Sequence, residues 1–194
     1  LLDTYQLTPK VIAYDAELNI AIFEWIEGYH LQSVENEHID QALNFIKILQ
    51  NIGTHEFSKP ASEACMSAEQ LFNQIEERHK KLDSIENNIL QNFLNTIFKP
   101  LYLDVKNWST QQWPANNFHE ILATAKQTLS PSDFGIHNSI MRSDGTLCFL
   151  DLEYFGWDDP VKLIADFIWH PAMTLNDDHK KRWVKNSFLI FKNS

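Results

Sequence analysis

The chain has 194 residues, 44% of them hydrophobic and 12% aromatic, with 16 basic against 26 acidic side chains for a formal net charge of −10. That composition belongs to a folded domain with a sizeable core, not a disordered segment. The acidic balance argues against a nucleic-acid partner, and no apolar run reaches the roughly 18 residues of a membrane span. The two cysteines, Cys65 and Cys148, lack metal spacing and read as free thiols of a reducing cytoplasm.

In chain order, residues 10–14 and 20–25 read as two strands around a turn at 15–19. Ile39, Ala42, Leu43, Ile46 and Leu49 recur at helical spacing, and Gly53 can end that helix. Ser67 with Gln70 makes a capping-box pattern. It opens a helix with Ala68, Leu71, Phe72, Ile75 and Leu82 on its apolar face. Glu76, Glu77, Arg78, Lys80 and Lys81 form a solvated face there. Ile89, Leu90, Phe93, Leu94 and Ile97 make another stripe, closed near Pro100, and residues 117–125 are a short helix candidate. Asp159-Pro160 starts a helix running to about Trp169, because an acid caps free N–H groups and proline suits the first position. A last helix spans about 176–191.

Residues 129–160, LSPSDFGIHNSIMRSDGTLCFLDLEYFGWDDP, carry the chemistry. Asp144-Gly145 is a two-residue turn signal, because both central residues of such a turn need positive φ. Residues 139–142 and 146–150 flank it as short strands. Centred there, the hairpin sets Asn138 opposite Asp151 on one face, with Cβ atoms roughly 4.5–5.5 Å apart. An amide oxygen and a carboxylate at that spacing can share one hard cation, since magnesium takes oxygen ligands at about 2.0–2.1 Å. The bland alternative is a surface hairpin with polar ends.

Asp133 stands five residues before Asn138. In kinase loops the D-x-x-x-x-N spacing supplies a base for the acceptor hydroxyl and an amide for the metal. The metal-binding acid belongs at the end of the next strand, where Asp151 follows the apolar Cys148-Phe149-Leu150. Asp133-Phe134-Gly135 spells the kinase magnesium triplet but precedes the amide. Asp133 is therefore assigned as base and Asp151 as metal ligand.

The run from Asp133 through Asn138, then Asp151-Leu152-Glu153-Tyr154, Gly156-Trp157-Asp158-Asp159-Pro160 and Asp166, resembles the aminoglycoside phosphotransferase and choline kinase superfamily. The resemblance implies a protein-kinase-like α+β fold. Its mostly helical C-terminal lobe, with a short catalytic β-hairpin, would span 29–194, and residues 1–28 would be the end of an N-terminal lobe. The resemblance also implies ATP and Mg2+ as cofactors and a small-molecule hydroxyl acceptor as partner. Asp133 becomes the catalytic base, Asn138 and Asp151 the magnesium ligands, Glu153 a neighbour of metal or substrate, and Asp166 a brace for the loop from the following helix. Glu24, Trp25 and Ile26 resemble the hinge whose backbone meets the adenine edge. One departure is that Pro131-Ser132 stands where the family carries His-Gly. No glycine-rich loop or strand lysine is recognisable before residue 10, so the chain reads as incomplete.

The leading reading is an ATP-dependent phosphotransferase acting on a small alcohol. The alternative is a kinase-like binding module without phosphoryl transfer, drawn from the absent phosphate loop and Pro131-Ser132. A two-metal hydrolase on Asp133, Asp151 and Glu153 leaves the Asn138 spacing and the hinge unexplained. His137 reads as a loop histidine that packs locally. His30, His55, His79, His119, His170 and His179 lack zinc spacing and read as structural or surface residues. Trp108 and Trp113 read as core or partly buried aromatics, or else as an acceptor pocket. Asp158 reads as support for the loop before its helix.

Overall fold

The structure is a computed structural model that describes residues 5–52, 59–113 and 117–192. Gly53, the expected helix stop, and His55 lie outside them. In chain order the elements are β1 (Val11–Asp15), β2 (Ile20–Phe23), α1 (Asn36–Asn51), α2 (Ala68–Asp83), α3 (Asn88–Phe93), α4 (Lys99–Gln112), β3 (Thr128–Ser130), β4 (Ser139–Met141), β5 (Leu147–Phe149), β6 (Gly156–Asp158), α5 (Pro160–Trp169) and α6 (Asp177–Phe191). They fall into two compact units, Leu1–Ala64 with Ala125–Ser194, and Cys65–Thr124. Among the described residues no helix is long and apolar enough to cross a membrane.

The core of the first unit follows from the helical periodicity. α1 buries Ile39, Ala42, Leu43, Phe45, Ile46 and Leu49, the expected stripe with one phenylalanine added. α5 begins as its sequence dictates, with Asp159 Oδ1 accepting the Val161 N–H at 2.7 Å. Asn176 caps α6 by accepting the His179 N–H at 2.8 Å. Phe134 sits among Phe45, Phe149, Phe167 and Trp183, with ring centroids at 5.0, 5.0, 5.7 and 6.2 Å. The Trp183 indole N–H, buried here, donates to the Ile164 carbonyl at 3.1 Å. Such a cluster combines large apolar burial with satisfied polar groups.

Gln41 fastens the β4–β5 hairpin to α1. Its amide donates to the Gly145 carbonyl at 2.9 Å and accepts the Leu147 N–H at 2.7 Å. The hairpin register differs from the expected one. Ser139 pairs with Phe149 and Met141 with Leu147, and the Leu150 N–H donates to the Asn138 carbonyl at 2.8 Å. Leu150, not Asp151, is thus the residue opposite Asn138. The turn holds three residues, because Arg142 N–H donates to Thr146 O at 2.9 Å and Gly145 N–H to Arg142 O at 3.1 Å. Gly145 has a positive φ of 84° and Asp144 does not. This is a type I turn closed by a left-handed glycine, the commonest three-residue hairpin loop.

β3 pairs antiparallel with β6, from Thr128 opposite Asp158 to Ser130 opposite Gly156. The sequence reading contained no such ribbon. β1 and β2 pair antiparallel, and every residue of both strands is exposed. At Gly28 an added β-carbon would stand 2.3 Å from the Met141 carbonyl. Only glycine allows the backbone after β2 to pass so close to β4, where Tyr29 and Met141 exchange hydrogen bonds of 3.1 and 2.9 Å.

In the second unit, Ser67 caps α2 by accepting the Gln70 N–H at 3.2 Å, while Gln70 Oε1 accepts from the Met66 N–H at 2.7 Å. Of the expected α2 stripe only Phe72 is buried. The next stripe does not stop at Pro100. A π-helical stretch, Leu94–Phe98, joins α3 to α4, and Pro100 sits in the first turn of α4. The wide turn re-spaces the carbonyls ahead of the proline ring and its missing N–H. Residues 117–123 are not helical. The Phe118 carbonyl is taken by Glu69 N–H at 3.1 Å and the Leu122 N–H by the Met66 carbonyl at 2.7 Å, so these groups are not free for helical bonds. Trp108 and Trp113 are 62% and 44% exposed, which removes them from the core. Glu76 is not merely solvated: Tyr102 and Lys106 both donate to its carboxylate.

Candidate active site

Asp133 lies in the loop between β3 and a short 3-10 helix, Ile136–Asn138, that enters β4. The loop has one side chain anchored and the next presented: Phe134 is buried at the centre of the aromatic cluster, and Asp133 is partly exposed. Ser132 has a left-handed φ of 70°, a conformation that penalises a β-carbon. Two hydrogen bonds hold it there, from Ser132 N–H to Ser130 Oγ at 3.0 Å and from Ser132 Oγ to the Ser62 carbonyl at 2.6 Å. The same φ gives a physical reason for the glycine of the His-Gly pattern.

Asn138 folds back on Asp133. Its Nδ2 donates to the Asp133 carbonyl at 2.9 Å and lies 3.3 Å from Oδ2. That fixes the amide orientation and leaves Asn138 Oδ1 without a partner among the described residues. Asp151 comes two residues after β5 with a φ of 59°. A left-handed residue breaks the alternation of strand side chains, so register alone does not aim this carboxylate. Asp151 is exposed and has no hydrogen-bond or ion-pair partner among the described residues.

The electrostatics tie the two acids to common neighbours. Burial first, then the adjacent His170 ring, push the His137 pKa below the ordinary histidine value, against the opposing charges of Asp133 and Asp151. The Tyr154 phenol is raised by its hydrogen bond to Glu153, with further contributions from Asp151 and Asp133. Fields from Asp133 and Asp151 therefore reach the same two side chains. Glu153 is engaged with Tyr154.

His170, read from sequence as structural or surface, belongs to this site. It follows the last residue of α5 and places Nε2 2.9 Å from Asp133 Oδ1. His137 Nε2 lies 3.3 Å from the same oxygen, and the two imidazoles stack with centroids 4.0 Å apart. No local motif links residues 37 positions apart, so only the fold reveals the pairing. Asp166, the expected brace, instead accepts from Lys162 one helical turn earlier. Asp158 is fully buried, accepts the Asp159 N–H at 2.8 Å and lies 3.3 Å from Lys162 Nζ, as support for the loop requires.

The hinge candidates lie toward the other end of the hairpin. Glu24, Trp25 and Ile26 line a cleft of about 520 Å³ with Lys10, Arg142 and Asp144. Glu24 spends its N–H on the Lys10 carbonyl at 2.9 Å and its carboxylate on the Lys10 N–H at 2.8 Å. The backbone groups of Trp25 and Ile26 have no such partners among the described residues.

Magnesium, the cation expected from the resemblance of the motif, takes oxygen ligands. Asn138 Oδ1 and the Asp151 carboxylate are both oxygen donors left uncommitted among the described residues, so the donor set fits.

A helical body carrying a short hairpin, with the acid loop entering one strand and a second acid leaving the other, is the larger part of a protein-kinase-like fold. Two solved structures share it. The choline kinase LicA from Streptococcus pneumoniae aligns at 16% identity with a TM-score of 0.57, over 96% of this chain and 58% of that one. A Plasmodium vivax ethanolamine kinase aligns at 17% identity with a TM-score of 0.50, over 96% and 54%. This chain thus spans little more than half the length of either kinase, and the protein-kinase-like fold expected from the motif is the one found. The sequence matches no protein-family model and no curated protein.

Proposed function

We propose that this chain carries the catalytic part of an ATP-dependent phosphotransferase that moves a γ-phosphoryl group to the hydroxyl of a small molecule. The observation that carries the proposal is the pair of hydrogen bonds that Asn138 Nδ2 donates to Asp133 in one loop of a chain whose fold matches small-molecule kinases. Residues up to 28 belong to the end of the smaller lobe, and residues 29–194 to the helical lobe.

Asp133 is the base. Its carboxylate receives the acceptor's proton as the new O–P bond forms and the bond from the γ-phosphorus to the β–γ bridging oxygen breaks, releasing ADP. Asn138 and Asp151 are the residues that hold magnesium, which when bound neutralises charge on the phosphates. Trp25 and Ile26 offer backbone groups to the adenine edge, with Glu24 securing the strand beside them. Arg142 at the hinge cleft stands four residues from Asn138, roughly 13 Å at strand rise, a distance an extended nucleoside triphosphate can bridge. Most of the rate enhancement comes from positioning and charge neutralisation.

Choline and ethanolamine are the first acceptors to try, since the two similar structures are kinases of those names and the chain is acidic. The test follows phosphate transfer from ATP with magnesium to a panel of small alcohols, using the full gene product and its Asp133→Asn variant. Transfer that falls by about 10²-fold or more in the variant supports the reading. An unchanged rate removes Asp133 as base, and nucleotide binding without transfer to any alcohol favours the binding-module alternative.

A further inference from the structure

Asp133, His137 and His170 bring three ligand atoms within 4.8 Å of one another, a cluster that fits either a transition metal or a hydrogen-bonded base. The surroundings of His170 decide between them. Its Nδ1 accepts the Ala172 N–H at 3.2 Å, so in the neutral ring Nδ1 carries no proton and Nε2 does. A protonated Nε2 has no lone pair for a metal. Metal-bound histidines show the reverse arrangement, with the second ring nitrogen donating to an acceptor. His170 Nε2 instead lies 2.9 Å from Asp133 Oδ1.

His137 reinforces the same oxygen. Its Nε2 is 3.3 Å from Asp133 Oδ1, and its Nδ1 is buried without a partner among the described residues. The ring is held by packing: a β-carbon at Gly135 would lie 2.5 Å from His137 Nδ1, and His170 stacks on its face at 4.0 Å. Two imidazoles therefore converge on Oδ1, while Asn138 Nδ2 lies 3.3 Å from Oδ2.

We propose that His170 is a positioning residue for phosphoryl transfer: its Nε2–H, backed by the stacked His137, anchors Asp133 Oδ1 and leaves Oδ2 as the oxygen that takes the acceptor's proton. This deepens the phosphotransferase reading and rests on it for the word transfer, although the tautomer does not. Binding one oxygen to two rings fixes the carboxylate's torsion. It therefore fixes where Oδ2 meets an incoming hydroxyl, and a displacement of about 1 Å at such a centre costs about 10²-fold. The anchor comes from the end of α5 in place of Asp166, whose carboxylate is taken by Lys162.

The tautomer is read directly on the unmodified full chain by ¹⁵N NMR of the histidine rings. The expected spectrum shows His170 with a bare Nδ1 and a protonated Nε2, unmoved by added Zn2+. A bare Nε2, or a Zn2+-induced shift of both Nε2 signals, overturns the assignment in favour of a metal site, whether or not the protein transfers phosphate. Kinetics supply the second arm, with an alcohol accepted in the panel above. His170→Ala lowers kcat about 10²-fold with the ATP KM unchanged, and His170→Gln, which restores an N–H donor at similar reach, recovers most of it. Equal losses in both variants, no loss in either, or a loss confined to KM overturns the positioning role.

Discussion

The ring of Phe134 stacks on that of Phe45 with centroids 5.0 Å apart and planes 15° apart, and this contact seats the loop that presents Asp133. Phe134 is also within 6.2 Å, centroid to centroid, of Trp183 on α6, so one side chain joins α1, α6 and the acid loop. Phe134→Ala should cost about 3–5 kcal/mol, the range for emptying a buried aromatic site. Urea unfolding measures it, and a loss below about 1 kcal/mol would show that the cluster does not anchor the loop. Phe134→Leu, which keeps most of the volume, should lose less than half as much stability.

Much of this arrangement was legible in the sequence, and the failures have physical reasons. Helix α1 followed from apolar spacing and α5 from the cap Asp159 with Pro160, because those signals are local, and the cap Asn176 of α6 was found only in the structure. The D-x-x-x-x-N spacing brought Asp133 and Asn138 together for the same reason. The hairpin register was off by one because Asp144-Gly145 suits both a two-residue turn and a three-residue turn. The Gln41 amide, more than a hundred residues away, bonds the geometry adopted at Gly145 and Leu147, and no local pattern contains that contact. The left-handed Asp151 then re-aims its carboxylate, a backbone feature that no alternation pattern contains. His170 was invisible as a site residue because its partner lies 37 positions upstream.

Lys162 and Asp158 give a stability test separate from catalysis. Asp158 is fully buried and Lys162 Nζ lies 3.3 Å from its Oδ2, while Asp166 takes a second contact. Lys162→Met leaves the buried carboxylate without this cation and should destabilise by about 3 kcal/mol. Burial opposes the ammonium, but the hydrogen bond to Asp166 and the charges of Asp166 and Asp158 outweigh it, so the Lys162 pKa is raised above its ordinary 10.5. A raised pKa means that the folded state holds the proton more tightly than the unfolded state. The contribution is therefore complete below about pH 10.5 and is lost as pH climbs through the folded-state value. The stability gap between wild type and Lys162→Met should narrow over that alkaline range. A gap that stays constant with pH would mean that the ammonium is not its source.

Asp151 separates backbone conformation from ligand chemistry. Its φ of 59° is one that asparagine tolerates and alanine does not, at a cost of about 1–2 kcal/mol for a β-carbon in that region. Asp151→Asn should leave the unfolding midpoint nearly unchanged. It should weaken magnesium-nucleotide binding by at least about tenfold, a scale that even outer-shell changes reach at metal sites. Calorimetric titration with ATP at several magnesium concentrations checks both. A variant that binds magnesium-nucleotide as well as wild type removes Asp151 from the metal.

Gly135 and Gly145 form a matched pair. Gly135 is extended, with a φ of 178°, so alanine there meets no backbone penalty. Its β-carbon would instead stand 2.5 Å from His137 Nδ1, 2.8 Å from Cε1 and 3.0 Å from Met173 Sδ. The His137 ring must move, and with it the 3.3 Å contact to Asp133 and the stack on His170. Gly135→Ala should cost about 1–3 kcal/mol as an overpacking change and should also shift the ring signals of both histidines. At Gly145 nothing lies within 4 Å of an added β-carbon and φ is 84°. Gly145→Ala should therefore cost a similar amount through backbone strain alone and leave both histidine spectra as they are. Histidine shifts of equal size in the two variants would mean that the perturbation at Gly135 travels through general loosening of the hairpin and not through the contact with His137.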